Sequence, residues 1–188
     1  MASGFRRGQQ TRRRCHGGFG EERTPARCAP DRPRARPAAV DHFFDGFSTA
    51  DFNNDGHADV IVWQGYPDTI ISVFFGDGRG RFSPAVQTAV PLTFFEGVIG
   101  ELNGDGIVDL VFSAFNPAAP SDSVQMLWGI GDGTFRQGTR IPSRMDSPTV
   151  VDANRDGKMD IVGVTTGELV VWAGNGAGSF RIASTAPW

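Results

Sequence analysis

The sequence predicts an all-β chain built from three four-stranded antiparallel repeats, and three observations predict it. The first is a nine-residue acidic motif that recurs as Asp51-Phe-Asn53-Asn-Asp55-Gly56-His57-Ala-Asp59, Glu101-Leu-Asn103-Gly-Asp105-Gly106-Ile107-Val-Asp109 and Asp152-Ala-Asn154-Arg-Asp156-Gly157-Lys158-Met-Asp160. The second is a glycine-rich motif, G-x-G-x-G-x-F, running from Gly76 to Phe82, Gly129 to Phe135 and Gly174 to Phe180. The third is a set of β-branched and aromatic runs of strand length, bounded by turn residues, with no sustained 3.6-residue period. Helix is therefore expected to be nearly absent.

Each element follows from local composition. Residues 1–40 are rich in Arg, Pro and Gly and lack apolar periodicity. Such a segment cannot bury enough surface to offset its ordering entropy, so it is expected to be a disordered tail. It holds ten of the eighteen basic residues, all Arg, against Glu21, Glu22 and Asp31. The tail is thus basic and the remainder acidic, within an overall net charge of −3. A linker role is preferred for it, ahead of targeting and of a nucleic-acid arm, because its Arg runs lack interleaved aromatics and a helical face. No nucleic-acid partner is expected. Cys15 and Cys28 both lie in this tail, where they lack the partners of a four-ligand zinc site. No apolar run is long enough to span a membrane.

From residue 41 onward the same order repeats. A short run leads into each acidic loop: Phe43 to Ala50, Phe94 to Gly100 and Pro148 to Val151. A second strand follows each loop directly, at Val60 to Trp63, Leu110 to Ser113 and Ile161 to Val164. The third comprises Ile70 to Phe75, Val124 to Trp128 and Leu169 to Trp172, and it runs into the glycine-rich turn. The fourth begins at the turn's Phe: Phe82 to Val86, Phe135 to Ile141 and Phe180 to Ala183. Length differences between copies fall in the links Gln64 to Asp68, Ala114 to Asp122 and Thr165 to Glu168, as expected of surface hairpins. The acidic loops begin at residues 51, 101 and 152. A period of about 40–50 residues with four strands per repeat is that of β-propeller blades. The expected blades are about 41–90, 91–141 and 142–188.

Nine of the eighteen carboxylates beyond residue 40 sit in the three loops. Crowding them into short turns costs like-charge repulsion unless a cation neutralises it. Asp, Asn and a backbone carbonyl are hard oxygen donors suited to Ca²⁺ rather than to zinc or copper. An EF-hand needs an acidic residue at position twelve and flanking helices. Here position twelve is Val62, Phe112 or Gly163. A β-roll of nine-residue repeats has too short a period. The competing account is an Asx-turn capped by its own side chains without metal.

The pairing of the acidic loop with a glycine-rich turn ending in Phe resembles the FG-GAP/VCBS-type repeat, found in the N-terminal propellers of integrin α subunits and in many bacterial surface and secreted proteins. The resemblance covers about residues 41–188. It implies Ca²⁺ in the loop between the first two strands of each blade, up to three ions in all, within an extracellular or cell-surface adhesion or ligand-binding domain. By position, the implied side-chain ligands are Asp51, Asn53, Asp55 and Asp59; Glu101, Asn103, Asp105 and Asp109; and Asp152, Asn154, Asp156 and Asp160. The carbonyls of His57, Ile107 and Lys158 would complete the three shells. Glu101 departs from the Asp at position one and is expected to loosen the second site. Lys158 brings a cation near the third.

No triad, base–nucleophile pair or nucleotide motif is present, so the chain is expected to be non-enzymatic, with an unidentified protein or glycan ligand. The rivals are an accessory part of a polysaccharide-active propeller enzyme, with catalysis in hairpins such as Asn116 to Asp122, and a lectin-like propeller binding glycans through Trp128 and Trp172. Phe75, Trp128 and Trp172 are read first as inter-blade packing. Propellers close with about 4–8 blades, and three are supplied here. The expectation is either part of a longer product or self-association of two chains toward a six-bladed ring.

Overall fold

Twelve β-strands and no helix make up the described residues, in three antiparallel sheets of four strands, each a meander in chain order. The structure, a computed structural model, describes residues 45–65, 69–115 and 122–187. The expected tail over 1–40, both cysteines and the hairpin residues 66–68 and 116–121 lie outside them. The first sheet is β1 (Gly46–Ala50), β2 (Asp59–Gln64), β3 (Ile70–Phe74) and β4 (Val86–Ala89). The second is β5 (Thr93–Gly100), β6 (Asp109–Phe115), β7 (Asp122–Gly129) and β8 (Phe135–Ile141). The third is β9 (Asp146–Val151), β10 (Asp160–Thr165), β11 (Glu168–Gly174) and β12 (Phe180–Pro187).

β9 starts at Asp146, before the expected Pro148, and β12 runs past the expected Ala183 to Pro187, but one strand is displaced outright from the sequence reading. The fourth strand of the first repeat does not start at Phe82; it starts at Val86, and Phe82 makes only an isolated bridge with Gly76. Pro84 carries no N–H and cannot join a ladder as a donor. Ser83 secures the chain here instead: its N–H donates to the Phe75 carbonyl at 2.9 Å, and its Oγ accepts the Phe75 N–H at 3.0 Å.

The sheets stack face to face, with β5 beside β1 on one side and beside β9 on the other. The first strand of every sheet thus lines up with its neighbours, as on the inner wall of a propeller. Register decides which side chain meets which sheet. Leu110 pairs with Leu127 and points to the first sheet; Val111 pairs with Met126 and points to the third. One core joins Ile61, Trp63, Ile71 and Val73 to Phe94, Leu110, Phe112 and Leu127. Within it Phe94 stacks on Phe112 at 4.0 Å, and Trp63 meets the same ring edge-on at 5.6 Å. A second core joins Val111, Val124, Met126 and Trp128 to Ile161, Trp172 and Phe180. Each fully buried side chain of this kind is worth roughly 1.5–3 kcal/mol, so stacking of sheets holds the array together. Phe75, Trp128 and Trp172 all pack between or beneath blades, as their sequence positions lead one to expect.

Candidate metal centre

Each acidic loop joins the first strand of its sheet to the second, and its backbone is the same in all three copies. Position four is left-handed at Asn54, Gly104 and Arg155, with φ of 57°, 82° and 63°. Position six is left-handed at Gly56, Gly106 and Gly157, with φ of 84°, 78° and 82°. A Cβ at any of these three position-six glycines would meet no atom. The glycines are needed for their dihedrals, not for space.

The first and third loops share one hydrogen-bond network. Asp51 accepts the N–H groups of Asp55 (3.1 Å) and Gly56 (2.8 Å), one on each carboxylate oxygen. Asp152 does the same for Asp156 (3.1 Å) and Gly157 (2.9 Å). Asn53 Oδ1 accepts the Asp55 N–H, Asp55 Oδ1 accepts the His57 N–H, and Asn53 Nδ2 donates to Asp55 Oδ2. Asn154, Asp156 and Lys158 repeat all three bonds. The Asn53 amide, followed by the His57 N–H, holds the Asp55 carboxyl below its ordinary range.

The second loop differs, and Glu101 is the cause. Its extra methylene carries Oε1 to the N–H groups of Asn103 and Gly104, positions three and four, rather than five and six. Asn103 Nδ2 turns from position five to Asp109 Oδ1 at 3.4 Å. Asp105 still accepts the Ile107 N–H.

The ninth residue does something that the sequence reading did not assign. Asp59, Asp109 and Asp160 open their second strands and are all 0% exposed. One oxygen of each accepts the N–H of the loop's second residue: Phe52 (2.9 Å), Leu102 (3.0 Å) and Ala153 (3.0 Å). The other accepts the N–H of the first glycine of the glycine-rich turn: Gly76 (2.8 Å), Gly129 (3.0 Å) and Gly174 (2.9 Å). The two repeated motifs are therefore clamped together by one buried carboxylate. A Cβ at Gly76, Gly129 or Gly174 would collide with the carbonyl oxygen at loop position eight, so the clamp's partner has to be glycine. Burial pushes the Asp109 carboxyl up to about 6; the Leu102 and Gly129 N–H groups oppose this, and the charges of Asp105 and Glu101 reinforce it.

Position seven points away from the loop interior. The His57 ring, the Ile107 side chain and the Lys158 stem each lie over their own glycine-rich turn, against Gly78, Gly131 and Gly176. The Lys158 stem thus runs along its turn, and the His57 ring lies against Gly78.

Among the described residues no three His, Cys, Asp or Glu side chains are gathered as a metal-binding group. The donors that each loop offers are nonetheless all oxygen: three carboxylates, an amide and a carbonyl. A carboxylate oxygen has two acceptor sites, and the bonds above use one apiece at positions one and nine of the first and third loops. The donor chemistry fits a hard cation such as Ca²⁺.

At the ends of the strands remote from these loops, a cleft of about 410 Å³ separates the second and third sheets. Glu96, Ser113, Asp122, Arg144, Met145 and Asp146 are among its lining residues. Arg144 reaches Asp146 at 3.4 Å and Asp122 at 3.8 Å.

The profile of the FG-GAP-like repeat family matches this sequence twice, over residues 51–112 and 101–163. Each match runs from one acidic loop through the next. No curated protein matches the chain significantly.

Proposed function

The chain belongs to the FG-GAP-like repeat family, and on that basis we propose that it serves as a calcium-stabilised, non-enzymatic β-propeller segment that binds a protein or glycan outside the cell or at its surface. The observation that carries the reading is the threefold recurrence of an all-oxygen donor set on one loop conformation. Asp51, Asn53, Asp55 and Asp59 would hold the first ion with the His57 carbonyl. Asp152, Asn154, Asp156 and Asp160 would hold the third with the Lys158 carbonyl. Glu101, Asn103, Asp105 and Asp109 with the Ile107 carbonyl would hold the second more weakly. When bound, Ca²⁺ would supply the positive charge that offsets the crowded carboxylates. The protein's own contribution is the left-handed backbone at positions four and six, which turns alternate side chains inward.

The ends of the sheets remote from the loops are left for ligand contact, and the cleft beside Arg144 is a recess there. Calorimetric titration of the full chain with Ca²⁺, paired with thermal melts in Ca²⁺ and in chelator, tests the metal. About three sites are expected. Ligand at 100 times its Kd adds about 2.7 kcal/mol to stability, a rise of several degrees in Tm. Equal melts in both buffers and no binding heat would refute the calcium reading. Turnover in a polysaccharide activity screen would overturn the non-enzymatic one.

A further inference from the structure

We propose that two copies of this chain close head to tail into a six-bladed ring, the third sheet of each packing on the first sheet of the other. The chain makes the same contact twice within itself. Ile61, Trp63, Ile71 and Val73 of the first sheet pack on Leu110, Phe112 and Leu127 of the second. Val111, Val124 and Met126 of the second pack on Ile161 of the third, flanked by Trp172. Counted from the buried Asp that opens each second strand, the residues two and four further on face forward, and those one and three further on face back. Among the described residues, two faces of this repeated contact are left over. The forward face of the third sheet carries Val162 paired with Val171 and Val164 paired with Leu169. The backward face of the first carries Phe47 paired with Val62 and Val60 paired with Phe74. Phe47 is 75% exposed and Leu169 44%.

A second set of contacts is left half-made at the same two places. In the second and third blades the Phe that ends the glycine-rich turn docks at loop position two of the preceding blade. Phe135 meets Phe52 edge-on at 6.2 Å, and Phe180 packs on the core containing Leu102. The Gly178 N–H also donates to the Leu102 carbonyl at 3.2 Å. In the first blade the equivalent Phe82 is 52% exposed, and a Cβ on Gly80 would meet nothing. In the third blade, loop position two is the exposed Ala153. Phe82 of one copy and Ala153 of the other are thus the matching halves of a contact already formed twice.

Continuity with these internal interfaces identifies the occupant as another blade of this kind, and a second copy supplies both missing faces at once. A contact between two different faces gives a ring when its rotation closes, and six blades fall within the usual range of about 4–8. No loop carboxylate takes part, so the proposal does not depend on calcium.

Sedimentation of the full chain across a dilution series, in Ca²⁺ and in chelator, is expected to show a species of twice the 20.2 kDa chain mass. Phe47→Glu blocks one face and Val171→Glu the other, and each variant alone is expected to be monomeric. Mixing the two restores a dimer, because each supplies the face that the other lacks. If either variant loses its β circular dichroism, Phe82→Ala takes its place and is expected to weaken the dimer at least about fivefold, a loss of about 1 kcal/mol. A wild-type monomer in both buffers, a dimer untouched by the variants, or a mixture that stays monomeric would each overturn the proposal.

Discussion

The N–H of Gly129 donates to Oδ1 of Asp109 at 3.0 Å across 20 residues of sequence, and the same bond joins Asp59 to Gly76 and Asp160 to Gly174. The other oxygen of each Asp holds the second residue of its own loop. The acidic loop and the glycine-rich turn are therefore one unit, and the ninth Asp has a structural duty that any metal would share.

That duty separates Asp109 from Asp105. Asp109→Ala leaves the buried N–H groups of Leu102 and Gly129 without acceptors, at about 1–3 kcal/mol each. Urea unfolding in chelator should show a loss of roughly 3 kcal/mol. Asp105→Ala removes an exposed cap on Ile107, and its loss should stay under about 1 kcal/mol. Equal losses without metal would show that the clamp contributes nothing of its own.

The repeats were legible because oxygen-bearing residues, glycines and phenylalanines recur at fixed offsets within each motif. The twelve strands followed from β-branched runs between turns, and the missed start of β4 has a local cause in Pro84. The clamp was harder to see. A sequence shows that position nine is acidic in every copy but not that it is buried, and its partner glycine stands 17, 20 or 14 residues away. An apolar residue at position two, Phe52 or Leu102, was the available hint that the loop turns inward. β7 is buried on both faces from Ser123 to Gly129 although Ser123 and Gln125 interrupt its apolar residues, whereas β12 is exposed along nearly its whole length. Which loop amides Glu101 would reach depends on a side-chain path, which composition does not encode.

Shortening Glu101 should make the second loop like its neighbours. In Glu101→Asp the carboxylate is expected to cap Asp105 and Gly106, as Asp51 caps Asp55 and Gly56. Two restored bonds to a charged acceptor, less the two that are lost, predict a small change without metal. Calcium calorimetry is where the difference should be read: the weakest site should tighten at least about tenfold, or 1.4 kcal/mol. Unchanged affinity would mean that position one is not a ligand in this loop.

The Asp109 carboxyl also sets a pH dependence. Its native pKa of about 6 lies above the ordinary 3.8, so the native chain holds a proton that the unfolded chain releases. The resulting stability is fully present below about pH 3.8 and is lost as pH rises through about 6. Carbon-detected NMR of this carboxyl in chelator should titrate with a midpoint near 6, and added Ca²⁺ should lower it by competing with the proton. A midpoint near the ordinary value would show that backbone donors outweigh burial at this site.

The glycine-rich turns contain a built-in comparison at the residue after the first glycine. Asp77 Oδ1 accepts the N–H groups of Arg79 (2.8 Å) and Arg81 (3.1 Å), and Asn175 Oδ1 accepts those of Ala177 (2.8 Å) and Ser179 (3.0 Å). The second turn has Ile130 there, 48% exposed, although its backbone makes the same closing bond, from Ile130 N–H to the Thr134 carbonyl. Asp132 already caps Thr134 from within that turn, and the Thr134 hydroxyl, followed by the Thr134 N–H, holds its carboxyl below the ordinary range. Ile130→Asn should therefore add one bond, not two, and stabilise by about 0.5–1 kcal/mol. Asn175→Ile should remove two and cost about 1–2 kcal/mol. For a chain of this size each kcal/mol moves Tm by about 2–4 °C, so opposite shifts in the two melts are within easy reach of measurement. If neither substitution moves Tm, the left-handed glycines alone fix these turns and the side-chain cap is a passenger.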